Sequence, residues 1–315
     1  MAMKRSSALF FTFLCCFTAA AIAEEALVTV HQLLQKASKA LQEKNYKGRF
    51  TYEFGSVLET LEIIHAVKDG VEYERIQHLN GREREFVRSG REEDCVTLGH
   101  FLLRGGLVSS HSGAVSLAQN YHFYIRGEDR IAGREAAVIQ AVPKDEYRFG
   151  MTMALDKESG LPLMSLISAS SNKALERFQF VQLDVLQNVD VSEFNPELRR
   201  HRVFDGKQTH CAKNTPANSN WRAAWLPAGF LLTETSHDEE SGEMLTFTDG
   251  LSAFSVFIMP ATDVQSVKKG LARRGATLAL MAALPLQNQT FSVALVGEVP
   301  VLTARRVVES LRPSF

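Results

Sequence analysis

Two tetrads in this 315-residue chain, Ser170-Ser171-Asn172-Lys173 and Ser266-Val267-Lys268-Lys269, have the Ser-x-x-Lys spacing of the nucleophile pair in penicillin-recognising enzymes. Both lack the companion Ser-Asp-Asn and Lys-Thr-Gly elements, and a pattern with only two fixed positions recurs by chance. There is no Gly-x-Ser-x-Gly elbow, no His-Glu-x-x-His, no Gly-rich phosphate loop and no Cys-x-x-Cys. His201, His210 and Cys211 sit in a polar stretch without paired-ligand spacing, which reads as solvated loop rather than a metal site. His65 lies inside an alternating run and reads as a sheet residue with its bonds satisfied, not as a base. The sequence therefore predicts no catalytic residue, no metal and no cofactor, and points to a protein that works by binding.

The N-terminus predicts where it works. Lys4 and Arg5 precede an apolar segment from about Ala8 to Ala21, and Ala21-Ile22-Ala23 places small residues where a signal peptidase reads. Residues 1–23 are expected to be a secretory signal cut before Glu24; the apolar run is short for a membrane anchor. Leu14 stands before Cys15 where a lipidation box needs a small residue, so a soluble exported chain is expected. Losing Lys4 and Arg5 from the 35 Lys+Arg leaves 33 against 36 Asp+Glu, a net charge of about −3. That balance offers no footprint for nucleic acid or for an anionic membrane. Cys95 and Cys211 fall in different predicted domains; export permits a disulfide, and both pairing and two separate thiols stay open.

The mature length suits two domains, expected at residues 24–195 and 217–315 with a linker at 196–216. In the first, Val30, Leu34, Ala37 and Leu41 recur at helical spacing through Leu27 to Lys44. From Gly48 the period becomes two: Phe50, Tyr52 and Phe54 alternate with Arg49, Thr51 and Glu53. Strands over Leu58 to Val67, Val71 to Leu79, Glu83 to Val87 and Asp94 to Leu98 follow, punctuated by Lys68-Asp69-Gly70, Asn80-Gly81 and Ser89-Gly90. A Gly/Ser-rich stretch from Leu102, with a weakly helical Ala114 to Asn120, predicts a cover over one face. Strands resume at Tyr121 to Arg126, Ala136 to Ala141, Tyr147 to Leu155, Leu163 to Ser168 and Leu175 to Val185. The sum is a long antiparallel sheet curved around an apolar interior.

The candidate lining of that interior is Phe50, Tyr52, Phe54, Leu61, Ile63 and Tyr73. In most sheets such residues simply fill the core, but in an open half-barrel the core and a ligand cavity are the same surface. Each buried methylene of an acyl chain contributes roughly 0.8 kcal/mol, so part of one fatty tail can compete with a protein contact.

Beyond Pro216, Trp225-Leu226-Pro227-Ala228-Gly229-Phe230 opens a second unit. Proline extends the residue before it, and Gly229 permits a turn into a strand. Strands near Phe230 to Glu234, Met244 to Phe247, Phe254 to Ile258, Thr277 to Ala282 and Thr290 to Gly297 are followed by a helix from Pro300. Asp238, Glu239, Glu240 and Glu243 read as a solvated hairpin tip. Lys268, Lys269, Arg273 and Arg274 put four cations within seven positions, which is either an exposed helical face or a site for an acidic partner segment or lipid headgroups.

Several runs in order, Tyr46-Lys47-Gly48-Arg49-Phe50-Thr51-Tyr52, Val71-Glu72-Tyr73-Glu74-Arg75, Arg130-Ile131-Ala132-Gly133-Arg134 and Asp156-Lys157-Glu158-Ser159-Gly160-Leu161-Pro162, resemble MucB/RseB proteins. So do the Trp225-Leu226-Pro227 run, Thr246 to Ile258, and Val296-Gly297-Glu298-Val299-Pro300 with Ala304-Arg305. The resemblance covers nearly the whole mature chain. It implies an α+β fold: an N-terminal open antiparallel half-barrel with helices on its concave face, similar to LolA and LolB, plus a smaller C-terminal α+β domain. It further implies a periplasmic negative regulator of an envelope-stress sigma-factor pathway. Such a protein binds the periplasmic part of a membrane-anchored RseA/MucA-type anti-sigma factor and shields it from proteolysis, and lipid or mislocalised lipoprotein releases that grip. Self-association stays open. The competing expectation is a periplasmic lipid or lipoprotein carrier without a regulatory partner, for which the half-barrel alone would suffice.

Overall fold

The computed structural model describes residues 29–91, 114–195, 202–205, 219–238, 242–286 and 289–314. Expectations for residues 1–28, Cys95, Cys211, the strand over Asp94 to Leu98, most of the Gly/Ser-rich cover, His201 and His210 fall outside the described residues. Helix α1, residues 29–43, is followed by β1 (Asn45–Phe54), β2 (Val57–Lys68), β3 (Val71–His78) and β4 (Glu85–Arg91). After the short α2 (Ala114–Asn120) come β5 (Tyr121–Ile131), β6 (Arg134–Pro143), β7 (Gly150–Asp156), β8 (Pro162–Ser168), β9 (Ala174–Leu186) and β10 (Arg202–Asp205). These strands form one open ten-stranded sheet in the order β10-β4-β3-β2-β1-β9-β8-β7-β6-β5. Every pairing is antiparallel except β10 with β4. The segment read as a linker thus contributes a strand to the first sheet.

Alternation decides what each face carries. Tyr46, Gly48, Phe50 and Tyr52 of β1 point the same way and are buried, and α1 covers them with Ala40 and Leu41. Gly48 is needed for close approach: a Cβ there would lie 2.5 Å from Cε1 of Phe180, whose ring fills the space. A bulge between Arg49 and Phe50 in the pairing with β9 adds bend at the middle of the sheet. The same helix extends the cover sideways, with Val30, Leu34 and Ala37 packed among Ile139, Met151, Met153 and Ile167. On the convex face, Ile64, Ala66 and Val87 pack beneath Phe194 of a single 3-10 turn, Val191–Phe194.

The second unit is a six-stranded antiparallel sheet with the order β12-β13-β14-β17-β16-β15. Its strands are β12 (Leu231–Asp238), β13 (Gly242–Thr248), β14 (Ala253–Ala261), β15 (Gly270–Arg274), β16 (Thr277–Leu286) and β17 (Gln289–Gly297). A two-stranded ribbon of β11 (Trp221–Ala223) and β18 (Leu311–Pro313) flanks it. Pro300 precedes α3 (Val301–Glu309), which buries Ala304, Val307 and Val308 against Leu245, Val256, Leu278 and Leu295. Glu243 departs from the expectation of a solvated tip. It is the second residue of β13, is buried, and accepts bonds from the Ser219 hydroxyl and the Asn220 amide, because the incoming chain passes over that end of the sheet. Among the described residues no helix is long and apolar enough to cross a membrane.

Candidate functional site

Of the six residues expected to line an apolar interior, Phe50, Tyr52, Leu61 and Ile63 are buried in one cluster, and Phe54 packs against it. Phe50 meets Phe178 and Phe180 with ring centroids 4.9 and 5.8 Å away. Tyr73 is a correction. The β2–β3 register sets it opposite Ala66, on the convex face, where its ring lies 5.4 Å from that of Phe194. His65 is buried with both ring nitrogens engaged, Nδ1 at 2.9 Å from the Lys44 carbonyl and Nε2 at 3.0 Å from Glu72, and it stacks on Tyr46. It is the satisfied sheet histidine the sequence suggested. Among the described residues no cluster of His, Cys, Asp and Glu is arranged to hold a metal ion.

The cations at 268–274 do not form a helical face. Lys268 and Lys269 are exposed in the approach to β15, while Arg273 and Arg274 lie on the strand and reach the first domain. The Arg274 guanidinium sits 4.2 Å over the Phe54 ring and 3.2 Å from Glu59, and Arg273 lies 5.5 Å over Phe149. Two of the four therefore join the domains instead of forming a free basic patch.

That junction is built on a buried network of charge and hydrogen bonds. Arg148, in the loop before β7, is fully buried; its Nε and Nη2 donate to Asp145 at 3.0 and 2.9 Å, and its Nη1 donates to Asp249 Oδ2 at 2.6 Å. Nη2 also donates to the Ala228 carbonyl at 2.5 Å. Asp249 splits its carboxylate between two tasks. Oδ1 accepts from the amides of Leu251 and Ser252, which builds the Asp249-Gly250 turn, while Oδ2 accepts from Arg148 and from the Tyr121 hydroxyl at 2.9 Å. Burial, with the Asp249 charge alongside, pushes the Tyr121 phenol well above its ordinary range, so it stays a donor. Burial alone would weaken the Arg148 charge, but the hydrogen bonds it donates to Asp145 and the nearby Asp249 charge outweigh it and hold the guanidinium above its usual value.

Apolar and aromatic contacts close the seam around this pair. Leu251 and Ala276 of the second domain belong to the same buried cluster as Val30 and Leu34 of α1, Tyr121, Phe149 and Met151. Trp225 packs edge-on to Tyr147 at 5.0 Å, with the Arg306 guanidinium 4.1 Å over the indole. Thr303 donates to the Tyr147 carbonyl at 2.7 Å, and Glu176 accepts from the Ala276 amide at 3.0 Å. Gly229 has φ +83°, and any side chain there would collide with Asn120. The sequence presents Trp225 to Phe230 as the opening turn of the second domain alone. Nothing in the local pattern shows that Asp249 meets an arginine 101 positions earlier.

An open curved sheet, roofed by a helix and clamped through buried charge to a smaller sheet, defines a two-domain binding protein. The family model of the MucB/RseB N-terminal domain matches residues 29–198, and that of the MucB/RseB C-terminal domain matches residues 215–312. The chain belongs to the MucB/RseB family. It is 32% identical to the sigma factor AlgU regulatory protein MucB of Pseudomonas aeruginosa, over 89% of this chain and 90% of that one. It is 26% identical to the sigma-E factor regulatory protein RseB of Escherichia coli, over 89% of each chain. The crystal structure of MucB in complex with MucA(peri) superposes with a TM-score of 0.68 at 32% identity, covering 90% of this chain and 98% of that one.

Proposed function

We propose that this chain is a periplasmic negative regulator of an envelope-stress sigma-factor pathway. Its two domains together hold the periplasmic region of a membrane-anchored anti-sigma factor and shield it from regulated proteolysis; lipid or mislocalised lipoprotein taken up by the first domain releases that hold. The observation that carries this reading is that the likeness to MucB bound to MucA(peri) runs through both domains, covering 90% of this chain. The regulatory names of the relatives support binding rather than catalysis, and the secretory signal expected before Glu24 supports the periplasm.

Release has a physical route in the packing. Phe50, Leu61 and Ile63 are already covered by α1, so an acyl chain reaches them only by displacing that helix. The N-terminal half of α1 packs in the cluster that contains Leu251 and Ala276, so displacement loosens the seam between domains. A ligand that favours the displaced arrangement thereby disfavours any partner that needs the clamped one. Lys268 and Lys269 are the partner-facing cations in this reading. Pull-down of the mature chain with the periplasmic region of a single-span anti-sigma factor tests it: retention is expected, with loss on adding lipoprotein. No retention in either condition rejects the proposal, and retention indifferent to lipoprotein rejects the release step.

A further inference from the structure

The free edges of the two sheets are not equally guarded. β5 carries a bulge between Ile125 and Gly127, β12 carries one between Leu232 and Glu234, and β10 is only four residues long. Bulges and shortness are how sheets stop another chain from pairing with their exposed N–H and C=O groups. Among the described residues β15 has neither a bulge nor a cover, and its only guard is the charge of Arg273 and Arg274. It pairs with β16 without a register shift, all five of its residues are exposed, and among the described residues no backbone hydrogen bond leaves its outer side. Gly270, Leu271 and Ala272 are uncharged, and Leu271 is 47% exposed. Lys268 and Lys269 just before the strand make no ion pair or hydrogen bond among the described residues.

We propose that the outer edge of β15 takes up an extended, acidic segment of the protein partner as a seventh strand of the C-terminal sheet. The inference rests on the partner reading above and adds the mode of binding. Strand addition supplies affinity through the main chain and specificity through the flanking side chains. Five residues offer an edge about 17 Å long, with roughly half of the backbone groups turned outward. The cations choose the occupant. Two β15 edges pairing antiparallel would bring the Lys268-Lys269 end of one copy beside the Arg273-Arg274 end of the other, so a second copy is repelled and an acidic segment is favoured. Position adds a reason for coupling: Arg274, at the end of the strand, touches Phe54 and Glu59 of the first domain, beside the exposed Val57 and Leu58 of the β1–β2 tip. A segment on this edge therefore runs onto both domains and registers how they are clamped.

Hydrogen exchange on the full mature chain, with and without the purified periplasmic region of a single-span anti-sigma factor, tests the idea. Amides of residues 270–274 are expected to become protected on binding. The double variant Lys268→Glu/Lys269→Glu is expected to weaken binding roughly tenfold, and less so at high salt, whereas Arg130→Glu on the bulged β5 edge leaves it unchanged. If the partner binds while β15 exchanges as before, strand addition is overturned and the partner reading stands; no binding overturns both. Protection of β15 by phosphatidylglycerol vesicles and not by the protein would assign the edge to a lipid surface and also overturn the proposal.

Discussion

Asp249→Asn isolates the charge of the interdomain clamp with little change in shape. The amide keeps an oxygen for the Leu251 and Ser252 N–H groups, but the partner of Arg148 Nη1 at 2.6 Å loses its charge. Both side chains are wholly buried, so removing one member leaves a desolvated charge, which typically costs about 3–5 kcal/mol. Arg148 keeps Asp145, whose carboxylate is 27% exposed, which places the expected loss near the lower end, about 3 kcal/mol. Arg148→Met should cost a similar amount, about 3 kcal/mol, because Asp249 then stays charged with only Tyr121 and its own turn amides. The double variant removes both charges and should fall well short of the sum, giving a coupling energy of about 2 kcal/mol or more. Urea unfolding followed by tryptophan fluorescence is the assay, since Trp225 sits on the seam against Tyr147. The partly exposed pair Arg274–Glu59 is the internal standard, expected to couple by less than about 1 kcal/mol. A coupling within about 0.5 kcal/mol of zero for Arg148 and Asp249 would refute the clamp.

Gly229→Ala combines a disfavoured φ of +83° with a collision against Asn120 and is expected to destabilise the seam by about 1–3 kcal/mol, read as a lower urea midpoint. Phe50→Ala should cost about 3–5 kcal/mol if the residue is packed core; a loss under about 1 kcal/mol would mean that it borders a hollow. Burial, with Arg84 beside it, holds the His78 imidazole below its ordinary 6.5 although Glu59 pulls the other way. The folded state therefore resists protonation of His78: its contribution is fully present above pH 6.5 and is lost as the pH falls from there through the lower folded value. His78→Gln should flatten that part of the stability profile, and an unchanged slope between the two variants would count against the assignment.

Much of the architecture was legible because it is local. The first helix, seen over residues 29–43 of the predicted Leu27 to Lys44, the alternation of Phe50, Tyr52 and Phe54, the Asp69-Gly70 hairpin and the helix after Pro300 follow from period and turn chemistry. Tyr73 was misplaced because its face depends on register across that hairpin. Asp69 and Gly70 both adopt positive φ in a two-residue turn, which pairs Lys68 with Val71 and hence Ala66 with Tyr73. β15 was invisible because Gly-Leu-Ala-Arg-Arg has no alternation; it becomes a strand by lying beside β16. Arg202–Asp205 likewise became a strand by lying beside β4.

Residue order by itself determined the apolar face of the first sheet and the family to which the chain belongs. Tertiary structure alone decided which polar residues hold the units together. Arg148, Tyr121 and Asp249 look like ordinary surface choices in their own segments, and only chain folding brings them within hydrogen-bond reach and removes the water around them. Periodicity reports how a segment meets its nearest neighbours. The strength of a charge pair is set by desolvation, which depends on everything packed around it.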